Sequence, residues 1–523
     1  MDTKYPERHL GMITISIMLA TIMQVVDMTI VNVALPHMQG NMSATQDQIS
    51  WVLTSYIVAA AIMTPVTGVL AARFGRKRLF AGSVVGFTIA SALCGWATSL
   101  DQIVIYRVLQ GAVGASLVPL SQAVLLDTYP REKHGSAMAL WGVGVMVGPI
   151  LGPTLGGYLT EYYSWRWAFY INVPVGVLAL LGILAFVPET ERQPNRGFDF
   201  FGFAMLSIAI GSLQLMLDRG NSLDWFGSRE IVAEAVIAAL AFYMFLVHMF
   251  TAEKPFIEPA LFKDRNFAAG LTLMFVVGVM LLATLALLPP FLQNLLGFPV
   301  VTAGLVLAPR GIGTMFAMLA VGRLVTRVDT RYLVLFGLTM TAISMWQMAG
   351  FNLEVGVRDI VVTGVVQGVG LGFIFVPLST AAFATLDQRY RNEGTAMFSL
   401  IRNIGSSIGI SLVVTVLGQR TQINHAGIGA NLTPFRDAMH WLPRMWDLGT
   451  PMGPVALEGE VTRQAVMLAY LDDFRFMTLM TLLAVPLLLL LRPAPRRPSG
   501  GAGRPGSAPA AGPGAGSASV AAD

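Results

Sequence analysis

The segment Gly68–Arg78 reads GVLAARFGRKR and separates two apolar runs. Basic residues concentrated in a short loop indicate the cytoplasmic side of a membrane protein, because such loops retain Lys and Arg. The first six residues of this segment, GVLAAR, return in related form as GRLVTR at Gly322–Arg327. The segment is therefore predicted to mark equivalent positions in two halves of one membrane protein.

Two more pairs of segments repeat at nearly the same separation along the chain. Gln110-Gly111 with Val118–Ser121 returns as Gln367-Gly368 with Val376–Ser379, and Gly135–Met138 returns as Gly394–Met397. These pairs match the second predicted span with the tenth, the fourth with the twelfth and the fifth with the thirteenth. The first six helices then correspond to the last six, and two helices between them are an insertion. Chance matches between apolar, glycine-rich helices are the alternative.

Composition predicts a chain that lies almost wholly in a membrane. Of its 523 residues, 54% are hydrophobic and 12% are charged. The apolar residues form about fourteen runs, each near the roughly twenty residues that cross a hydrocarbon core of about 30 Å. These runs lie near 12–35, 49–71, 79–98, 102–126, 136–160, 166–187, 199–217, 230–250, 267–290, 302–325, 332–350, 359–381, 395–417 and 474–491.

The expected fold is an all-α polytopic membrane protein with both termini in the cytoplasm. Its predicted parts are an N-terminal six-helix bundle (1–190), two inserted helices (191–260) and a C-terminal six-helix bundle (261–492). A polar outer segment at 420–473, which contains Trp441 and Trp446, is expected to form a small cap or a partner-binding surface. The tail at 493–523 is rich in Gly, Ala, Pro and Ser and is expected to be disordered.

The sequence argues against several other classes of protein. Its basic residues are scattered singly between apolar runs, which disfavours nucleic-acid binding. Cys94 is the one cysteine, so neither an internal disulfide nor a thiolate metal site is expected. The phosphate-loop pattern is absent, and Gly405–Gly409, which fits a hydrolase nucleophile pattern, lies inside an apolar helix. We therefore expect neither an enzyme nor a metal site.

Four motifs carry a resemblance to a known family. The loop with Gly68, Arg73, Gly75, Arg76 and Lys77 resembles the loop 2-3 signature of the major facilitator superfamily, with Ala72 where an acidic residue is usual. Asp27–Pro36, Arg107 with Gln110-Gly111, and Gly144–Gly157 resemble the span 1, span 4 and span 5 motifs of the fourteen-span drug:proton antiporters. Within that group the chain is most similar to the EmrB-type pumps, to which Leu217–Gly220 and Leu223–Phe226 add.

This resemblance implies a major facilitator fold and the export of hydrophobic or amphiphilic small molecules from the bacterial inner membrane. The energy source would be the proton gradient, with no cofactor. It also implies a periplasmic adaptor of the EmrA type and an outer-membrane channel as partners. A proton-coupled importer of a small metabolite and a membrane sensor or scaffold that transports nothing are the alternative functions.

Asp27 and Arg107 are the candidate proton-coupling residues. At a rise of 1.5 Å per residue, both are predicted to lie about 10 Å below the outer surface, where they can meet. Charged groups inside a span are unfavourable unless they are paired or hydrated, so each is a functional candidate. A carboxylate beside Arg stays ionised, whereas one without that partner in an apolar medium takes up a proton. A static ion pair is the alternative.

Other residues are predicted to support coupling or to line the substrate cavity. Polar groups within the spans are Gln24, Asn32, Gln110, Arg310, Arg402 and Asn403. The arginines among them favour neutral or anionic substrates over dications.

Glycine and proline residues give the fifth span an unusual surface. Those expected to permit the conformational exchange are Gly144, Gly148, Pro149, Gly152, Pro153, Gly156 and Gly157. Glycines at every fourth position form a bare stripe that a neighbouring backbone can approach closely, and proline removes helical hydrogen bonds. The span is predicted to lie at a moving seam between the bundles. Close packing without motion is the alternative.

Overall fold

The computed structural model describes residues 7–190, 197–432, 446 and 450–491, and all regular structure within these ranges is helical. The first nine helices are α1 (Glu7–Asn41), α2 (Gln46–Met63), α3 (Val66–Phe74), α4 (Arg76–Trp96), α5 (Leu100–Gly114), α6 (Leu117–Thr128), α7 (His134–Tyr162), α8 (Trp167–Tyr170) and α9 (Asn172–Phe186). Then come α10 (Phe200–Arg219) and α11 (Arg229–Thr251). The last six are α12 (Arg265–Pro290), α13 (Val300–Leu324), α14 (Thr330–Met348), α15 (Val357–Ala384), α16 (Arg391–Gly429) and α17 (Gly453–Ala484). The predicted all-α class is confirmed.

The number of spans is close to the prediction. Every predicted run coincides with one helix or with two consecutive helices. When α5 with α6 and α8 with α9 are each counted as one helix, twelve helices in the described part of the chain are long and apolar enough to cross a membrane. The number is thirteen if α2 and α3, bent by 57°, also count as one. Helix α14, at the predicted run 332–350, is not among them, because Arg331 and Gln347 near its two ends lower the mean hydropathy of this 19-residue helix. The count of fourteen is therefore not fully confirmed.

The helices group into two bundles. In the N-terminal bundle (α1–α9), α1 packs against α7 and α9, while α5 packs against α2 and α4. In the C-terminal bundle (α12–α17), α12 packs against α16, α15 against α13 and α14, and α17 against α16. The bundles meet along α7 and α13, and also where α3 and α6 contact α16. The exact domain limits remain a prediction.

Helices α10 and α11 pair with each other outside the two bundles. The Thr54 hydroxyl of α2 donates a hydrogen bond to Asp218 of α10, and Trp225, in the turn after α10, donates to Thr415 of α16 at 3.0 Å. The insertion is thus attached to both bundles.

Reciprocal contacts support the internal repeat. A Cβ atom on Gly68 of α3 would lie 3.0 Å from the Cα of Glu393 on α16, which adjoins Gly394. A Cβ atom on Gly322 of α13 would lie 3.3 Å from the Cα of Ser136 on α7, which adjoins Gly135. The repeat pairs Gly68 with Gly322 and Gly135 with Gly394, so each half makes the same contact with the other. These contacts lie near the basic loop Arg73–Arg78, and we call this side of the membrane the basic side.

The segment 420–473 differs from its predicted form. Helix α16 continues to Gly429 and α17 already begins at Gly453, so most of the described residues extend the two membrane helices rather than form a separate cap. The polar composition that marked the segment as non-membrane belongs to helices that continue outside the apolar layer. Residues 433–445 and 447–449, which include Trp441, and the predicted disordered tail at 493–523 lie outside the described residues.

Candidate functional site

Asp27 and Arg107 meet in the interior of the N-terminal bundle. Neither side chain has any exposed surface, and Arg107 Nη1 lies 2.8 Å from Asp27 Oδ2. The predicted contact between α1 and α5 is therefore present. A buried pair of opposite charges is stable only when the remaining polar atoms are also bonded. The surroundings of the carboxylate provide such bonds.

Two amide side chains bind the other carboxylate oxygen of Asp27. Gln110 Nε2 donates to Oδ1 at 2.9 Å, and Asn172 Nδ2, on the first residue of α9, donates to the same atom at 2.7 Å. Arg107 Nη1 also donates to Gln110 Oε1 at 2.8 Å. The ionised form of Asp27 thus receives three hydrogen bonds from three residues, all of them buried.

The guanidinium of Arg107 is held by the neighbouring helix α2. Its Nε donates to the Val52 carbonyl at 3.0 Å, and the Tyr56 ring lies 4.1 Å from its central carbon, a cation–π distance. Close approach of the two backbones makes this possible, because a Cβ atom on Gly111 would lie only 3.1 Å from the Cα of Tyr56. Arg107 Nη2 is buried without a hydrogen-bond partner among the described residues.

The C-terminal bundle contains a related but uncharged arrangement. Gln367, the repeat equivalent of Gln110, donates to the Thr284 hydroxyl at 3.1 Å. Thr284 follows Asp27 at the same separation along the chain as Gln367 follows Gln110. At these two positions the repeat keeps the amide and replaces the carboxylate by a hydroxyl. The paired acid therefore belongs to the N-terminal half.

The remaining polar candidates of α1, Gln24 and Asn32, differ in burial. Gln24 is buried on α1, and its Oε1 has no hydrogen-bond partner among the described residues. Asn32 is exposed, and its amide binds the Met28 carbonyl of its own helix at 3.1 Å. Asn32 is therefore not part of the Asp27 cluster.

Sequence reasoning missed Asn172 and Ser91. Asn172 bonds Asp27 and also donates to the Ser91 hydroxyl at 2.9 Å. Asn172 lies in a predicted apolar span that contains no motif. The signal that could have identified it is a polar residue within an apolar run.

Arg310 and Arg402 lie in the C-terminal bundle. Arg310 on α13 is 7% exposed, and Arg402 on α16, next to Asn403, is half-buried. No ion pair or side-chain hydrogen bond of either guanidinium is found within the described ranges. The backbone of Arg310 fits against Gly368 of α15 and that of Arg402 against Gly278 of α12, so both arginines are fixed at helix contacts.

The glycine stripe of α7 does not face the other bundle. Cβ atoms on Gly144, Gly148, Gly152 and Gly156 would meet Met18, Val25, Thr29 and Ile30 of α1, in the same bundle. The prediction that α7 lies at the seam is confirmed by its packing against α13, but the stripe itself is not on the seam. The four-residue spacing places all four glycines on one face of α7, and α1 packs against that face.

The seam between the bundles uses other residues of α7. Pro153 and Ile150 contact α13 at Gly304 and Gly311, and Gly157 points toward Val301. Three glycines of α13, the third being Gly322, therefore provide the close approach that the stripe on α7 was expected to provide. Pro149 and Pro153 lie inside the continuous helix α7.

The basic side holds a second ionic cluster, which sequence reasoning did not identify. Asp127 on α6 forms ion pairs with Arg76, the first residue of α4, and with Arg391 at the start of α16. Arg76 Nε also donates to the Asn392 side chain at 2.5 Å. Asp127 thus provides a carboxylate that joins the bundles, although Ala72 replaces the usual acid of the loop motif.

The other loop residues surround this cluster. Gly75 has φ +88°, in the region that favours glycine, and it separates α3 from α4. Arg73 is exposed and Lys77 is partly exposed. The loop motif therefore contributes a turn and one buried arginine.

One family model and several known proteins are similar to this chain. A model of the Major Facilitator Superfamily matches residues 17–410. The probable multidrug resistance protein EmrY of Escherichia coli (strain K12) is 35% identical over 487 residues, 92% of this chain and 95% of that protein. The multidrug export protein EmrB of the same strain is 38% identical over 429 residues, 82% of this chain and 84% of that protein.

A solved structure shows the same fold. The proton:xylose symporter XylE superposes with a TM-score of 0.59 at 13% identity, covering 90% of this chain and 97% of that one. The matched family model, the relatives and the two-bundle fold lead to one assignment: this chain belongs to the major facilitator superfamily and, within it, to the family of EmrB and EmrY.

Proposed function

We propose that this protein exports hydrophobic or amphiphilic small molecules in exchange for protons. The observation that carries the proposal is the wholly buried Asp27, whose ionised form depends on one arginine and two amides from other helices. When helices move, such a carboxylate loses donors and takes up a proton. It releases the proton when the donors return.

Alternating access would supply the required movement. The two bundles would rock about the α7–α13 seam and expose a site between them to each side in turn. Proton uptake at Asp27 would favour one orientation and proton release the other. The energy would come from the proton gradient, about 2.3 kcal/mol per charge for each 100 mV of membrane potential, without any cofactor.

Export is favoured over import by kinship with proteins named for multidrug resistance and export. Arg310 and Arg402, buried or half-buried without acidic partners in the described chain, favour neutral or anionic amphiphiles over dications. The family consists of transporters, so we do not propose an enzyme or a sensor.

Inverted membrane vesicles with an acidified lumen test both direction and coupling. Antiport predicts that fluorescent amphiphiles accumulate in the lumen and that Asp27→Asn abolishes the accumulation while passive leak is unchanged. Asp101→Asn, an exposed carboxylate at the start of α5, is the matched control and should transport normally. Loss of amphiphile from the acidified lumen would indicate symport, and equal accumulation by wild type and Asp27→Asn would remove Asp27 from the mechanism.

We further propose a location in the bacterial inner membrane with both termini cytoplasmic, and a partnership with an EmrA-like adaptor and an outer-membrane channel. Helix α16 has 39 residues, about 58 Å at 1.5 Å per residue, so much of it extends beyond a hydrocarbon core of about 30 Å. It pairs there with α17, where His425 Nε2 lies 2.8 Å from Glu458 Oε1. This projecting helix pair would contact the adaptor.

A photo-crosslinking amino acid at the exposed Val455 of α17 tests the contact in cells that contain a periplasmic adaptor. A crosslinked product that contains the adaptor is expected from this position and not from Tyr332, an exposed position on the basic side. Adaptor crosslinks from Tyr332 but not from Val455 would contradict the proposed contact and orientation.

A further inference from the structure

Asp473 is a second buried acid, and it differs from Asp27 in having no partner. Its side chain lies on α17 with no exposed surface. Neither carboxylate oxygen has a hydrogen-bond partner, and no basic group lies within ion-pair distance among the described residues. The acid therefore lacks both the arginine and the amide donors that surround Asp27.

The neighbouring charges are engaged elsewhere. Asp472, the adjacent residue, lies 3.9 Å from Arg420 of α16 and 3.2 Å from Arg475 of its own helix. His425 of α16 binds Glu458.

The other helices that pack against α17 carry no charge near Asp473. On α12 and α14 the charged side chains are Arg265 and Arg331, at the basic side, where they donate to the carbonyls of Leu490 and Leu491. Tyr332, also at that end of α14, is the other titratable group there. Arg402 on α16 lies about five turns before Arg420, which contacts Asp472, so Arg402 is distant from this part of α17.

An aromatic cluster adjoins this part of α17. Tyr470 and Phe474 lie with their ring centroids 5.1 Å and 6.1 Å from that of Phe291, which is wholly buried at the end of α12. Phe291 also stacks on Phe351 at 6.3 Å. Tyr470 is one turn before Asp473 and Phe474 is the next residue, so the carboxyl group belongs to an apolar, aromatic part of the bundle.

We propose that Asp473 is a second proton-binding site, in the C-terminal bundle, and that it holds a proton in this conformation. An ionised carboxylate in an apolar interior without a counter-charge or donor is strongly disfavoured, so the group remains neutral. The site is accessible to protons when α17 shifts against α12 and α16.

This inference is separate from the proposed role of Asp27 in export. It would hold if Asp27 formed a static ion pair, and it would fail if Asp473 were ionised while Asp27 coupled transport. In a working antiporter the second site would add a proton-binding step.

Infrared spectroscopy of the purified full-length protein tests the proposal directly, since a protonated carboxyl group has a C=O stretch distinct from that of a carboxylate. We expect this band in wild type at neutral pH, and we expect it to decrease as the pH is raised. The wild-type minus Asp473→Asn difference spectrum should contain the band. Asp27→Asn and Asp472→Asn, the adjacent and partly exposed control, should retain it.

Two results would overturn the proposal: identical spectra for wild type and Asp473→Asn, or a band assigned to Asp473 that does not change with pH up to the limit of protein stability. The second result would show a permanently protonated structural acid. If Asp473→Asn does not fold, Asp473→Glu provides the same test, because a protonated glutamic acid at this position should shift the band in frequency.

Discussion

Asp127 on α6 and Arg391 on α16 form an ion pair that joins the N-terminal bundle to the C-terminal bundle on the basic side. Asp127 is also bound by Arg76 of its own bundle, and Arg391 Nη1 donates to the Leu126 carbonyl at 2.9 Å. The carboxylate therefore lies between two arginines that belong to different bundles. Any movement that separates the bundles on this side must break the pair with Arg391.

Asp127→Asn should favour separation of the bundles on the basic side. A hydrogen bond to a charged group contributes about 1.5–3 kcal/mol, so the ratio of separated to closed molecules should rise at least about tenfold. Spin labels at the exposed positions Phe74 and Arg389, in a Cys94→Ala background, would report longer distances. Glu132→Gln, an exposed carboxylate on the same side, should leave the distances unchanged. An unaltered distance distribution in Asp127→Asn would show that the pair does not hold the bundles together.

Asn172→Leu should slow the export of amphiphiles. The substitution removes one of the three hydrogen bonds to the Asp27 carboxylate. A hydrogen bond to a charged group contributes about 1.5–3 kcal/mol, so the rate should fall at least about tenfold. The rate of amphiphile accumulation in inverted vesicles measures the loss.

Ser91→Ala is the control for Asn172→Leu. It removes the other partner of Asn172, whose amide lies 2.9 Å from the Ser91 hydroxyl, and leaves every donor to Asp27 in place. Its rate of accumulation should stay close to that of wild type. If Ser91→Ala lowered the rate as much as Asn172→Leu, the loss would come from local packing and not from the bond to Asp27.

Gly152→Ala should lower the thermal stability of the purified protein. The added methyl group would lie 2.5 Å from Thr29 Cβ on α1, so the helices must move apart, and overpacking of this kind costs about 1–3 kcal/mol. Gly157→Ala is the matched control on the same helix, where the nearest atom outside it, on Val301, is 3.9 Å away. The higher helix propensity of Ala should leave that variant as stable as wild type or slightly more so. Equal melting temperatures for the two variants would show that the stripe does not set the α1–α7 distance.

Arg310→Gln should weaken the transport of anionic amphiphiles and leave that of neutral ones nearly unchanged. The guanidinium has no acidic partner within the described ranges, so an anionic substrate would supply the missing charge. Loss of a charge-assisted hydrogen bond of about 1.5–3 kcal/mol predicts a rise of at least about tenfold in the half-saturating concentration of an anionic substrate. Arg358→Gln, at an exposed arginine near the start of α15, should have no such effect. An equal change for anionic and neutral substrates would contradict a charge-recognition role.

The fold class, the internal repeat and the possible contact of Asp27 with Arg107 could be predicted from the amino-acid sequence. These features depend on patterns with fixed spacing: apolar runs of membrane length, segments that return at one separation, and charges at matching depths in two helices. Such patterns can be recognised without knowing which helices are neighbours. The family motifs added the functional class in the same way, because they are contiguous in the chain.

The contacts between residues of distant helices could not be predicted, because they depend on how the helices pack. Asn172 reaches Asp27, and Asp127 joins Arg76 to Arg391, across separations in sequence that no local pattern encodes. The same reason explains the corrected position of the glycine stripe, since spacing placed its four residues on one face of α7 but did not specify that α1 lies there. The isolation of Asp473 is likewise a property of its neighbours, because a lone acid in a sequence gains or lacks partners only when the helices pack.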